Sequence, residues 1–161
     1  MKRVFIAFGS NVGDRLGTMR TALKMLEECD AVEFVASSPV YSNRAIGMGD
    51  AEPFLNAVLE FATEMEPEAL LELCLKIETA LGRVPSSHWI SRTIDLDLLF
   101  YEGIRQTNER LTLPHPRIEE RDFVAQPLCD LDADLEVNGQ TLMQIVEALP
   151  SIELELFAEQ I

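Results

Sequence analysis

Residues 92–101, Arg-Thr-Ile-Asp-Leu-Asp-Leu-Leu-Phe-Tyr, read as a β-strand with Asp95 and Asp97 two positions apart. Successive strand side chains alternate sides, so the two carboxylates share one face while Ile94, Leu96 and Leu98 take the other. Carboxylates held that close repel each other unless a cation lies between them. A hard, oxygen-seeking ion such as Mg²⁺ answers that demand, and it is usually held by one or two carboxylates together with substrate phosphates. The pair also fits the wet face of an edge strand, and spacing alone does not choose. Asp95 and Asp97 are on this ground the candidate metal ligands.

The charge balance narrows the ligand. A net charge of −15 makes nucleic acid an improbable partner, because binding a phosphate backbone needs a cationic surface. Yet Arg83, Arg92, Arg105, Arg110, Arg117 and Arg121 all fall in the stretch around the Asp pair. An acidic chain that keeps arginines beside two carboxylates suits a small polyanion bound with its metal. Cys29, Cys74 and Cys129 are widely spaced and form no Cys-x-x-Cys pair, which suggests neither a disulfide framework nor a zinc site. The apolar run at residues 4–8 ends too early for a signal peptide. No segment approaches the roughly 18 apolar residues of a membrane-spanning helix. The expectation is one soluble, cytoplasmic domain over residues 1–161, with no membrane partner and, in the absence of an obvious large apolar interface, a monomer.

The elements that must position these residues follow from periodicity. Residues 3–8 form a first strand, Gly9-Ser10-Asn11 turns the chain, and residues 14–29 form a helix with Leu16, Met19, Leu23 and Leu26 on one stripe. Residues 32–41 and 54–63 read as the second and third strands. Between them, residues 42–53 make a long polar connection of the kind that often serves as a lid. Glu66-Pro67-Glu68 opens a helix that runs to a stop at Gly82. After the loop at 83–89 comes the Asp-bearing strand, then a Gly103 turn, a strand around 105–112, and a stiff Pro114-His115-Pro116 turn. Two short helices and a small hairpin complete the chain, the last helix spanning 141–149. The order strand, helix, strand, strand, helix, strand is the split βαβ plan of α+β ferredoxin-like folds. It predicts an antiparallel sheet with helices on one face and ligand loops on the other.

Gly9-Ser10-Asn11, Phe54-Leu55-Asn56-Ala57, Gly82-Arg83, Trp89, Arg92-Thr93-Ile94-Asp95-Leu96-Asp97 and Pro114-His115-Pro116-Arg117 followed by Arg121 and Phe123-Val124 together resemble one family. It is 6-hydroxymethyl-7,8-dihydropterin pyrophosphokinase, or HPPK, an enzyme of folate biosynthesis, and the likeness runs from Val4 to about Leu149. The resemblance implies transfer of the pyrophosphoryl group of ATP to the hydroxymethyl oxygen of the reduced pterin, releasing AMP. Such a transfer asks the protein for in-line positioning and charge neutralisation rather than covalent chemistry. Two Mg²⁺ ions on Asp95 and Asp97 would supply part of both.

The same resemblance implies roles for other residues. Arg83 and Arg92 become catalytic-loop arginines on phosphate oxygens, where a guanidinium binds two at once and stays charged. By its spacing Arg92, three residues before Asp95, would lie on the opposite face of a regular strand. Glu78, Trp89, Leu98, Arg110, Thr112, His115 and Arg121 fall at positions around the nucleotide. Phe54 and Phe123 would sandwich the pterin, Asn56 would read its edge, and Asn43 and Ile46 would complete the slot. Against these stand plainer readings, in which the arginines form surface ion pairs, His115 is a turn residue, and Phe54 is core.

The chain departs from the family in one loop. Pro85 and His88 stand where arginines are usual, and Ile90-Ser91 replaces a Gly-Pro, so the segment expected to cover ATP is less cationic. Each missing charge-assisted contact is worth about 1.5–3 kcal/mol when fully formed. Arg44 is a candidate substitute for one of them. Two other functions fit these features: a pterin- or nucleotide-binding relative with weakened turnover, and a non-enzymatic interaction module.

Overall fold

The computed structural model describes residues 1–43, 53–82, 94–150 and 154–161. In chain order the elements are β1 (Lys2–Ser10), α1 (Arg15–Glu27), β2 (Val32–Ser37), β3 (Tyr41–Asn43), β4 (Phe54–Thr63), α2 (Pro67–Ala80) and β5 (Asp95–Tyr101). They are followed by β6 (Gln106–Thr107), β7 (Thr112–Leu113), α3 (Asp122–Leu131), β8 (Glu136–Val137), β9 (Gln140–Thr141), α4 (Leu142–Ala148) and β10 (Glu155–Leu156).

The main sheet is antiparallel, in the order β10-β3-β4-β1-β5, with β2 also paired to β4. The strand-helix-strand-strand-helix-strand order expected for a ferredoxin-like fold is present in β1 to β5. The second expected strand is divided. Pro39 has no N–H to give to a ladder, and at the break Ser38 takes over: its N–H donates to the Val58 carbonyl and its Oγ accepts from the Val58 N–H, both at 2.9 Å. Downstream, the strand expected around 105–112 is the two short arms β6 and β7. The chain turns between them because Asn108 Oδ1 accepts from the N–H groups of Arg110 and Leu111, at 3.0 and 2.9 Å.

Local signals explain the helices. Asp14 caps α1 by accepting from the Gly17 N–H at 3.1 Å. Pro67 opens α2, where its missing N–H costs nothing, and Gly82 ends the turn after it at φ 102°. Thr141 and Gln144 form a reciprocal capping box at the start of α4.

Two cores lie on opposite faces of the sheet. Val4, Ile6, Phe8, Leu96 and Leu98 pack with Leu16, Met19, Leu70, Cys74 and Ile77 of α1 and α2. Phe5, Val58 and Leu99 pack with Val124, Ala125, Leu128, Leu142 and Ile145 of α3 and α4. The face expected to hold ligand loops thus carries helices as well. Both faces of β4 are covered along most of its length, which is why Leu55-Asn56-Ala57-Val58-Leu59 is buried without interruption. An irregularity between Phe5 and Ile6 inserts Leu99 opposite β1. It switches the parity of β5, so that Leu99 joins the α3 core and Tyr101 returns to the α1 core.

Candidate active site

Register sets which residues meet at one end of the second face. Asp97 pairs with Ala7 and Asp95 with Gly9 on β1, so the neighbours of the two carboxylates are a methyl group and no side chain at all. On the other side of β1, Gly9 pairs with Asn56 of β4, and Asn56 pairs with Tyr41 of β3. Paired residues point to the same face, and Asp95, Gly9, Asn56 and Tyr41 therefore make one row across four strands. Two inter-strand spacings separate Asp95 from Asn56, about 10 Å between Cα atoms. Gly9 leaves room in that row: a Cβ there would stand 3.2 Å from Asn56 Oδ1, tighter than ordinary contact.

At the Asn56 end three expected substrate residues meet. Asn43 and Phe54 are paired across β3 and β4, and Asn56 donates from Nδ2 to Asn43 Oδ1. Asn56 is buried and Phe54 half-buried. Above the same face, α3 begins with Arg121 at its cap and Phe123 in its first turn. The Arg121 guanidinium lies 5.7 Å from the Phe123 ring centroid. One tie between sheet and helix escaped the sequence: the Tyr41 hydroxyl donates to Asp130 of α3, which also accepts from Gln126 at 3.0 Å. Burial first, and then this carboxylate, push the Tyr41 phenol well above its ordinary pKa, so it remains a donor. Tyr41–Asp130 links the strand that carries Asn43 to the helix that carries Phe123. Only the strand pairing and helix docking place them together, and nothing local in the sequence signals it.

His115 closes the Asp97 end. Its N–H donates to the Leu99 carbonyl at 2.8 Å, and its Nδ1 accepts from the Arg117 N–H at 3.1 Å. With Nδ1 accepting, the neutral ring carries its proton on Nε2. Burial lowers the His115 pKa below 6.5; Asp97 opposes that shift, and Arg121 and Arg117 reinforce it. A neutral imidazole tied to the backbone and within the field of Asp97 is a positioned hydrogen-bond donor.

Other expected nucleotide residues are placed differently. Glu78 is buried at 2% exposure, and its Oε2 accepts from the Leu96 N–H at 2.8 Å. It supports the edge of β5 away from β1 rather than lying open to a ligand. The Leu98 side chain is buried in the first core. Leu98 as a whole is only 2% exposed, so it contributes to the core that underlies the strand. Arg110 is ion-paired with Glu72 of α2, both about half exposed. Thr112 is half-buried in β7, opposite Thr107. Arg83, Trp89, Arg92 and Ile46 lie outside the described residues, as do Arg44, Pro85, His88, Ile90 and Ser91.

The donor set suits a hard cation. Among the described residues no group of three or more His, Cys, Asp or Glu side chains could enclose a metal by itself. Two carboxylates, Asp95 half-buried and Asp97 exposed, leave the remaining coordination to water and phosphate oxygens, as Mg²⁺ prefers. Thiolate chemistry is absent from this region: burial first, with Glu78 and Asp97, pushes the nearby Cys74 thiol up to about 12.

Comparisons with known proteins show the family. Residues 5–133 match the family described as 7,8-dihydro-6-hydroxymethylpterin-pyrophosphokinase (HPPK). The 2-amino-4-hydroxy-6-hydroxymethyldihydropteridine pyrophosphokinase of Methylorubrum extorquens is 39% identical over 155 residues, covering 96% of this chain and 98% of the relative. The protein of the same name from Haemophilus influenzae is 35% identical over 148 residues, covering 91% and 92%. The folic acid synthesis protein fol1 of Schizosaccharomyces pombe is 36% identical over 159 residues, but the chain spans only 22% of its length. Among solved structures, Plasmodium falciparum HPPK-DHPS superposes with a TM-score of 0.71 over 91% of this chain and 45% of that one. At 12% identity it speaks for the fold alone. Among the described residues no helix is long and apolar enough to cross a membrane.

Proposed function

The chain belongs to the 7,8-dihydro-6-hydroxymethylpterin-pyrophosphokinase family, and from that membership we propose that the face bearing Asp95, Asn56 and Phe123 is where its reaction takes place. The enzyme transfers pyrophosphate from ATP to the hydroxymethyl group of 6-hydroxymethyl-7,8-dihydropterin, a step of folate synthesis. The carrying observation is the row Asp95–Gly9–Asn56, which supports a polyphosphate end and a heterocycle end on one face of the sheet.

Each end has its own chemistry. Asn56 and Asn43 offer amide donors and acceptors to the aminopyrimidinone edge. Phe54 of β4 and Phe123 of α3 would sandwich the heterocycle, and stacking on a flat ring is worth about 0.5–1.5 kcal/mol per pair beyond area burial. Asp95 and Asp97 hold Mg²⁺, two ions in our reading; the ion supplies neutralisation of the polyphosphate and alignment for in-line transfer. His115 donates from Nε2 to a phosphate oxygen, and Arg121 adds a fixed charge at the start of α3. Arg83, Arg92 and Trp89 are proposed for the nucleotide side on resemblance alone. The hydroxyl proton of the pterin needs no dedicated base, since a metal-bound carboxylate is a poor one and solvent can accept it.

We take residues 1–161 as one domain acting as a monomer, and we place it in the cytoplasm with its ATP. Incubation with ATP, Mg²⁺ and the reduced pterin should release AMP and yield the pterin diphosphate. Binding of both substrates without AMP would instead mark a relative with lost turnover. Absence of nucleotide binding by calorimetry would remove the enzyme reading altogether.

A further inference from the structure

Residues 154–161 lie beyond the stretch that matches the family, yet they pair with β3 beside the proposed pterin subsite and lie against Arg15, which holds the start of β4. On one flank, β10 adds to the free edge of β3, with Glu155 opposite Ser42 and Leu156 opposite Tyr41. The Phe157 N–H extends that pairing to the Val40 carbonyl at 2.8 Å. On the other flank, Arg15 of α1 donates to the Pro53 carbonyl at 2.7 Å while its guanidinium lies 5.9 Å from the Phe157 ring centroid. Asn43 and Phe54 are the residues next inside these two anchors. Further on, Arg20 donates to the Gln160 carbonyl at 2.6 Å, and Phe157 and Ile161 pack against the α1 core. The segment thus binds α1, β3 and, through Arg15, the start of β4.

We propose that segment 154–161 is a positioning element for the pterin subsite, bracing Asn43 through β10 and Phe54 through the Phe157–Arg15–Pro53 chain. It touches no substrate itself. Without it, β3 is a three-residue edge strand paired on one side only, and such a short ladder frays. A flat ring held between an edge-reading amide pair and an aromatic face tolerates little misplacement, since an error of about 1 Å can cost on the order of a hundredfold. The polyphosphate end on β5 lies on the far side of β1 and β4 and does not feel this brace.

The inference rests on the placement of the pterin at Asn56, and the test separates the two. Three variants are compared with the intact enzyme: deletion of residues 154–161, Phe157→Ala, and Phe157→Tyr, which keeps a ring over Arg15. Asn56→Ala serves as the reference for the subsite, and circular dichroism checks folding. The deletion and Phe157→Ala should raise the pterin KM by about tenfold with the ATP KM unchanged, and Phe157→Tyr should restore it. Should the deletion not fold, the two Phe157 variants decide. An unchanged pterin KM, or an equal rise in both KM values, overturns the positioning role while an Asn56→Ala defect leaves the subsite standing. An Asn56→Ala enzyme with normal pterin binding overturns the subsite itself, and the brace with it.

Discussion

The Leu96 N–H and the Glu78 carboxylate meet at 2.8 Å, between the two aspartates of β5 and on the edge of the strand away from β1. A buried acid on α2 thereby fixes the backbone position from which Asp95 and Asp97 project.

That bond sets a first expectation. Glu78→Ala leaves a buried N–H without its acceptor and should cost about 1–3 kcal/mol of stability. Glu78→Gln keeps an acceptor and should cost less. Urea denaturation of both variants checks the order, and turnover should fall further in Glu78→Ala than in Glu78→Gln. Equal stabilities would show that the bond contributes little.

Asp95→Ala and Asp97→Ala should each reduce AMP production by about 10²–10³-fold, on the scale of removing one electrostatic stabiliser of a transition state. Asp97 is exposed and Asp95 only half-buried, so the fold should survive both changes. Circular dichroism and single-turnover kinetics separate folding from chemistry. Chelation of divalent ions should abolish turnover in the unaltered enzyme, and Mg²⁺ should restore it. A variant with near-full activity would contradict the metal assignment.

Tyr41→Phe removes the donor to Asp130 and should destabilise the protein by about 1.5–3 kcal/mol, the range for a bond to a charged group. Because the bond links β3 to α3, the pterin KM should rise while the ATP KM holds. Thermal denaturation and steady-state kinetics provide both readings, and a loss of stability without any change in pterin KM would confine Tyr41 to a structural role.

His115 should show a lowered pKa in the metal-free protein when its ring protons are followed by NMR. Burial is the main cause, so Asp97→Asn should lower the value further and Arg121→Ala should raise it. Below pH 6.5 the unfolded chain takes up a proton that the folded chain refuses. Stability therefore falls as pH drops from 6.5 through the lowered folded value, and His115 contributes no slope above 6.5. His115→Asn should flatten that part of the acid limb relative to the unaltered protein.

Much of this architecture is legible in local patterns. The bounds of β4 follow from an apolar run ended by polar residues, α2 from Pro67 and Gly82, and the likeness of Asp95 and Asp97 in orientation from strand alternation. The break of the second strand at Pro39 was equally available, since proline cannot donate to a ladder. The family, too, can be recognised from motif order, because an Asp-x-Asp strand, a Pro-His-Pro turn and a Phe-x-Asn strand are each short and local.

Other relationships exist only once the sheet closes. Glu78 and Leu96 are separated by 18 positions, Tyr41 and Asp130 by 89, and Arg20 and Gln160 by 140. No periodicity within an element specifies such partners, since register and helix docking choose them. The same holds for the bulge at Leu99, which sends Tyr101 to the opposite core, and for α3 and α4 on the face expected to carry loops alone. The sequence by itself determined which groups could do chemistry, because side-chain type and spacing along a strand or helix are local properties. Which of them share a floor, which are held in place by buried bonds, and what segment 154–161 braces were decided by tertiary structure, because those depend on contacts between residues far apart in the chain.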